Sequence, residues 1–166
     1  MKPERAARAP RLNLTVQYAV AASHLPGRAQ FRRWVRAALE HDARITVRIV
    51  GRTEGKALNR NFSGGDHPTN VLAFVYRDAP PYEGDLALCA PVVTREAREQ
   101  RKSLAAHYAH LVIHGTLHLQ GYDHKKKADA HVMEARESQI VTKLGYPAPY
   151  GPHEGRQTKA AAQRGV

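Results

Sequence analysis

The residues with the clearest chemical potential are three histidines in the segment HGTLHLQGYDH, which runs from residue 114 to residue 124. His114 and His118 are four residues apart on a predicted helix, a spacing that places both side chains on one face. Two imidazoles in this arrangement can reach one metal ion at bond lengths of about 2.0–2.1 Å. The segment therefore predicts the first two ligands of a metal site.

The third ligand is expected from a segment that turns back after this helix. His110 lies on the same face of the predicted helix as His114 and His118. It is roughly 12 Å from His118 along the helix axis, however, which is too far for the two to share one ion. Gly121 can adopt the positive φ that ends a helix, which leaves His124 free to return toward the other two histidines. Three histidine ligands leave the fourth tetrahedral position to water, as in catalytic zinc sites. We therefore predict one Zn²⁺ per chain at His114, His118 and His124, and its bound water is the only catalytic group that the sequence identifies.

Several neighbouring residues have less specific interpretations. His107 and His110 are interpreted as packing residues or as groups that orient a metal ligand. Asp123 either orients a ligand in the same way or caps the next predicted helix. Metzincin proteases have the same histidine spacing, with a glutamate as general base where this chain has Gly115. Because glycine cannot accept a proton, a zinc metalloprotease is an alternative that would need another base.

The charge of the chain indicates the class of substrate. Among 166 residues, 26 Lys and Arg outnumber 15 Asp and Glu, which gives a net charge of +11. A field of this sign attracts polyanions such as nucleic acids. Basic residues beside a metal ion suit a phosphodiester, because both stabilise its developing charge. The candidate RNA contacts are Lys125, Lys126 and Lys127, which follow the third histidine, and Arg60 on another predicted helix.

The segment HGTLHLQGYDH resembles the signature of the YbeY family of metal-dependent, single-strand-specific endoribonucleases. Two further blocks agree with the family pattern, namely Leu58-Asn59 followed by DHPTNVLAF at 66–74, and Gly84-Asp85-Leu86. The resemblance covers about residues 12–148. It implies an α+β fold, zinc on the three histidines at the end of a basic cleft, and RNA as substrate. It also implies a role in ribosomal RNA maturation, including the 3′ end of 16S rRNA, and in ribosome quality control.

One position departs from the family pattern near the second block. Ser63 stands where the family usually has an RNA-contacting arginine, and Arg60 lies three residues earlier. Ala73 likewise replaces the usual serine of the NVLSF stretch. The first departure keeps a second alternative open, a non-catalytic zinc-containing factor that binds RNA or the ribosome.

Hydrophobic periodicity predicts the elements that position these residues. Strands are predicted at 12–18, 44–49, 69–76 and 85–90, a loop at 79–84, and helices at 27–41, 53–62, 92–120 and 125–144. The apolar, β-branched segment 69–76 is predicted to be a central strand. The order β-α-β-α-β-β-α-α predicts an α+β fold, a mixed four-stranded sheet with helices packed on it. The zinc site then lies on the 92–120 helix and the turn that follows it.

The domain organisation follows from length and composition. Residues 12–148 are predicted to form a single catalytic domain, and residues 1–11 and 149–166, basic and poor in apolar residues, to be disordered tails. Cys89 is the only cysteine, so no disulfide can form within the chain. The N-terminus lacks the apolar stretch of a secretory signal, and no run approaches the ~18 apolar residues of a membrane span. We therefore expect a cytoplasmic protein with no membrane partner.

Overall fold

In the computed structural model, which describes residues 8–150, five helices pack against a four-stranded sheet. The strands are β1 Leu12–Tyr18, β2 Ala43–Val50, β3 Val71–Arg77 and β4 Tyr82–Cys89. The helices are α1 Arg28–Ala38, α2 Arg52–Ser63, α3 Ala90–Glu99, α4 Leu104–Leu119 and α5 Lys127–Lys143. This architecture confirms the predicted α+β class with a four-stranded sheet.

The sheet is mixed, with the strand order β1-β2-β4-β3. β2 pairs in parallel with β1 and β4, whereas β3 pairs antiparallel with β4 and forms an edge. The prediction that residues 69–76 form a central strand is therefore wrong. Val71 and Ala73 are apolar because they belong to the core, while Tyr76 near the other end of β3 is 67% exposed. The composition of β3 thus reflects the helix that covers its first half, not a central place in the sheet.

Helix α4 lies directly against β4, and two glycines allow this close approach. A Cβ atom on Gly84 would lie 2.5 Å from the carbonyl oxygen of Phe74 and 2.5 Å from Cδ2 of Leu119. A Cβ atom on Gly115 would lie 2.6 Å from Cδ2 of Leu86. Real Cβ atoms do not come this close to other heavy atoms, so a side chain at either position would force its neighbours to shift. The helix that carries two of the predicted ligands is thereby held against the sheet.

The single helix predicted over 92–120 is two helices, α3 and α4. Arg101 adopts the left-handed conformation (φ 56°). The backbone N–H groups of Arg101 and Lys102 donate to carbonyls in the last turn of α3 at 3.2 and 3.0 Å, as in a Schellman motif. Ser103 then caps α4, because its Oγ accepts from the N–H of Ala106 at 3.1 Å. An arginine occupies the position usually held by glycine, so the usual sequence signal for the end of a helix is missing.

Residues just outside the range 12–148 also contact the rest of the protein. The N–H of Arg11 donates to Oδ1 of Asp42 at 2.8 Å, and Pro149 is buried. Residues 1–7 and 151–166 of the predicted tails lie outside the described residues. Between residues 8 and 150, no helix combines the length and apolar character needed to cross a lipid bilayer.

Gln120, at the end of α4, holds the chain that connects α1 to β2. Its Oε1 accepts from the N–H groups of Glu40 and His41 at 2.7 and 3.1 Å, and its Nε2 donates to the carbonyl of Ala38 at 2.8 Å. The side chain is buried, so water cannot replace these bonds. Gln120 therefore joins the ends of the two helices that cover the sheet.

Replacing Gln120 with alanine is expected to lower the free energy of unfolding by about 2–4 kcal/mol, because buried donors and acceptors lose their partners. Urea denaturation measures this change. Gln139 is exposed on α5, and its replacement by alanine serves as the control, with an expected effect within about 0.5 kcal/mol. Equal losses in the two variants would contradict the assigned role of Gln120.

Candidate metal centre

Helix α4 supplies two of the three predicted ligands from a largely buried position. His114 is 9% exposed, and His118, one turn later, is itself partly exposed. Almost every other residue of α4 is buried between the sheet, α1 and α5. The orientation of both imidazoles is therefore set by the packing of the whole helix.

The turn after α4 has the form that the sequence predicts. Gly121 adopts a positive φ of 102°, and its N–H donates to the carbonyl of His118 at 3.0 Å. The N–H of Tyr122 donates to the carbonyl of Leu117 at 3.2 Å, which completes a Schellman motif. The chain thus reverses within three residues of the helix end and carries His124 back toward α4.

This reversal brings the three predicted ligands together. The centre of the His124 imidazole lies 5.8 Å from that of His114 and 5.8 Å from that of His118. Three imidazoles bound tetrahedrally to one zinc ion have ring centres roughly 5 Å apart, given bonds of about 2.0–2.1 Å. Among residues 8–150, no three or more His, Cys, Asp or Glu side chains are already arranged to hold a metal ion. The rings would therefore have to draw closer together to bind one.

The chemistry of these three side chains fits a zinc ion. Each has a buried ring nitrogen without a hydrogen-bond partner, namely Nε2 of His114, Nδ1 of His118 and Nδ1 of His124. Burial, together with the neighbouring histidines, lowers the pKa of His118 to about 4. Burial and the charge of His114 also lower the pKa of His124. Both imidazoles are therefore neutral at neutral pH, which is the form that binds metals.

Glu137 on α5 is a buried carboxylate that the sequence analysis did not identify. It is hydrogen-bonded to the ring of His114. Its side chain is 0% exposed. Its Oε2 accepts from Nδ1 of His114 at 2.7 Å, and its Oε1 accepts from Nε2 of His110 at 2.9 Å. The hydroxyl of Tyr150 also donates to Oε1. One sequence signal could have pointed to Glu137. It is an acidic residue at a position of α5 whose other buried members, Met133, Ile140 and Val141, are apolar.

The charge of Glu137 determines which ring nitrogen of His114 carries the proton. Burial would raise the pKa of Glu137, but the imidazoles of His114 and His110 lower it far below its usual value. Burial lowers the pKa of His114, yet the nearby Glu137 outweighs this effect and raises it. An ionised carboxylate only accepts hydrogen bonds, so Nδ1 of His114 must carry a proton. Nε2 is then the nitrogen of His114 available to a metal.

His107 and His110 belong to buried hydrogen-bonded groups, in agreement with their predicted packing or orienting roles. Nε2 of His107 is 2.8 Å from Oε1 of Glu96, which also accepts from the side chain of Asn70 at 3.0 Å. His110 shares the Glu137 carboxylate with His114. His107 therefore stabilises the core, whereas His110 is coupled to a predicted ligand.

Asp123 orders the loop that carries the third histidine. Its Oδ1 accepts from the N–H groups of His124 and Lys125 at 2.6 and 3.1 Å. It does not cap α5, because that helix begins at Lys127 with Lys126 as its N-cap residue. Nδ1 of His124 lies 3.9 Å from the carboxylate, too far for a hydrogen bond. The predicted capping role of Asp123 is therefore wrong, whereas its hydrogen bonds fix the backbone on either side of His124.

The predicted RNA contacts lie in two parts of the structure. Lys125, Lys126 and Lys127 are exposed and follow His124 directly, so they adjoin the candidate site. Arg60 is on α2, where its guanidinium is 3.1 Å from Oδ1 of Asp66. The lysines are therefore available to a substrate at the histidine cluster, whereas Arg60 already has a carboxylate partner.

The position of Gly115 argues against the protease alternative. In metzincins the corresponding glutamate must reach the zinc site to act as general base. Here a side chain at position 115 would point at Leu86 of β4, on the sheet side of α4. The glycine therefore serves the packing of α4 against the sheet, and no general base can replace it there.

Comparison with known proteins identifies the family. The family model described as Endoribonuclease YbeY matches residues 21–145. The chain is 58% identical over 137 residues to the Endoribonuclease YbeY of Nitrosomonas eutropha, covering 82% of this chain and 97% of that protein. It is 57% identical over 144 residues to the Endoribonuclease YbeY of Thiobacillus denitrificans, covering 86% and 98%.

A solved structure agrees with the fold. The solution structure of a Thermotoga maritima protein matches with a TM-score of 0.51 and 24% identity, and the match covers 86% of this chain and all of the other. At this identity the likeness concerns the fold alone. The family model and the two close relatives carry the assignment: the chain belongs to the YbeY family of endoribonucleases.

Proposed function

We propose that this protein is a zinc-dependent endoribonuclease that cleaves single-stranded RNA in the cytoplasm. Its proposed role is ribosomal RNA maturation at the 3′ end of 16S rRNA and ribosome quality control, with the ribosome as partner. The observation that carries the enzymatic part is the convergence of His114, His118 and His124, each with a buried ring nitrogen that has no partner. The relatives named endoribonuclease support RNA as the substrate.

The proposed site combines a metal with a basic surface. A zinc ion held by the three histidines would supply a Lewis acid for the phosphate and would activate water. Glu137 would keep the proton on Nδ1 of His114, and so direct Nε2 toward the ion. Lys125, Lys126 and Lys127 would hold the phosphates of the RNA backbone beside it. The proposal thus assigns metal binding to α4 and the Gly121 turn, and substrate binding to the loop that follows.

The test begins with elemental analysis of purified protein, which should contain one zinc per chain. The same sample is then incubated with labelled single-stranded RNA and with the matching duplex. Cleavage of the single strand alone would support the proposal. Protein that holds one zinc and binds RNA without cutting it would favour a non-catalytic RNA-binding factor.

Replacing Lys125, Lys126 and Lys127 with alanine together is expected to weaken RNA binding. Each lost phosphate contact lowers the slope of log K against log salt by about 0.7 for single strands, so the slope should fall by about 2. Binding to fluorescent RNA across a salt series measures both quantities. Arg32, Arg33 and Arg36 are exposed on α1, and their joint replacement by alanine is the charge-matched control. An equal effect in both triple variants would show that only net charge matters.

A further inference from the structure

The Glu137 carboxylate lies at the meeting point of three parts of the chain. It extends from α5, accepts from His114 and His110 of α4, and accepts from Tyr150 in the segment after α5. The Tyr150 ring also packs edge-on against His110, with ring centres 5.3 Å apart. Three hydrogen-bond donors, two from α4 and one from the segment after α5, therefore converge on the Glu137 carboxylate.

Burying an ionised carboxylate is costly unless its oxygens are fully hydrogen-bonded. An apolar side chain would fill this position of α5 at no such cost, as Met133, Ile140 and Val141 do at the other buried positions. The network also controls one specific atom. By accepting from Nδ1 of His114, the carboxylate leaves Nε2 of the same ring buried and without a partner.

We propose that Glu137 is a positioning residue for the metal site, which fixes the ring orientation and tautomer of His114, and that Tyr150 completes its hydrogen bonding. This inference rests on the proposed zinc site. A carboxylate that accepts from a metal-bound histidine fixes the ring and makes it a better ligand, and losing such a partner typically weakens metal affinity about 10–100-fold. The C-terminal segment that ends the described chain is thereby part of the support of the metal site.

The core offers a matched comparison in Glu96. This glutamate also accepts from a buried histidine of α4, His107, at 2.8 Å. His107 links α4 to Glu96 of α3 and is not one of the predicted ligands. Glu96→Gln thus removes the same charge from the same kind of pair without touching the site. A purely structural role of Glu137 would make Glu137→Gln behave like Glu96→Gln.

The experiment uses the full chain, stripped of metal and titrated with zinc chloride against a fluorescent chelator. Glu137→Gln preserves shape, but its amide NH₂ cannot accept a hydrogen bond. We expect its zinc Kd to rise about 10–100-fold, with Tyr150→Phe showing a smaller rise and Glu96→Gln none. Cobalt(II) titration should show an altered visible absorption spectrum for Glu137→Gln only. Circular dichroism of each metal-free variant checks that it is folded.

The outcomes separate this inference from the proposed function. Tight zinc binding by the unmodified chain and by folded Glu137→Gln alike would overturn the inference and leave the zinc site standing. Failure of the unmodified chain to bind zinc would overturn both. If Glu137→Gln does not fold, Tyr150→Phe decides, because an unchanged zinc Kd in that variant would equally overturn the inference.

Discussion

Replacing His118 with alanine is expected to abolish high-affinity zinc binding and to lower the rate of RNA cleavage by ~10³-fold or more. A catalytic metal ion stabilises the charge of a transition state by several kcal/mol. Each 1.36 kcal/mol corresponds to a factor of ten in rate, so losing the ion removes three orders of magnitude or more. Zinc content by elemental analysis and cleavage of labelled single-stranded RNA measure the two effects in one preparation.

The variant should remain folded, because the His118 side chain is partly exposed and its Nδ1 makes no hydrogen bond. His24→Asn is the matched control. His24 is exposed, lies in the β1–α1 loop and has a positive φ of 66°, a conformation that asparagine tolerates. A His118→Ala variant that lacks zinc but cleaves RNA at the unmodified rate would refute the metal mechanism.

The sequence predicted the individual strands and most helices because their signals are local. The alternation of Ile45, Val47 and Ile49 requires one buried face of a strand, and these residues do form the core. The Gly121 turn was predictable for the same reason, since a positive φ after a helix favours glycine. These features depend on a few neighbouring residues, so a single chain suffices to identify them.

The features that were missed depend on contacts between distant parts of the chain. Arg101 takes a left-handed conformation that its residue type does not indicate, and this splits the predicted helix. The strand order, which places β3 at the edge, depends on how β4 pairs with β2. Glu137 is 23 residues from His114 in the chain, and only the packing of α5 on α4 brings them together. No local pattern encodes these relations.

Gly84 lies where β4 contacts the helix that carries two of the proposed zinc ligands. Replacing Gly84 with alanine is expected to lower the free energy of unfolding by about 3 kcal/mol or more. The new methyl group would meet the backbone carbonyl of Phe74 at 2.5 Å, and this carbonyl is part of the adjoining strand β3. It would also meet Leu119, the residue after His118. Overpacking against flexible side chains costs about 1–3 kcal/mol, and a rigid backbone neighbour places this substitution at or above that range.

The contact with Leu119 should also disturb the proposed metal site, because Leu119 follows His118 on α4 and this contact is relieved when α4 moves away from the sheet. Variants that still fold should therefore bind zinc more weakly as well as unfold at lower urea. Gly27→Ala is the control, since a Cβ there meets nothing within 4 Å and its effect should stay within about 1 kcal/mol. A Gly84→Ala protein with unchanged stability and zinc affinity would mean that α4 does not need its close approach to β4 to hold the histidines in place.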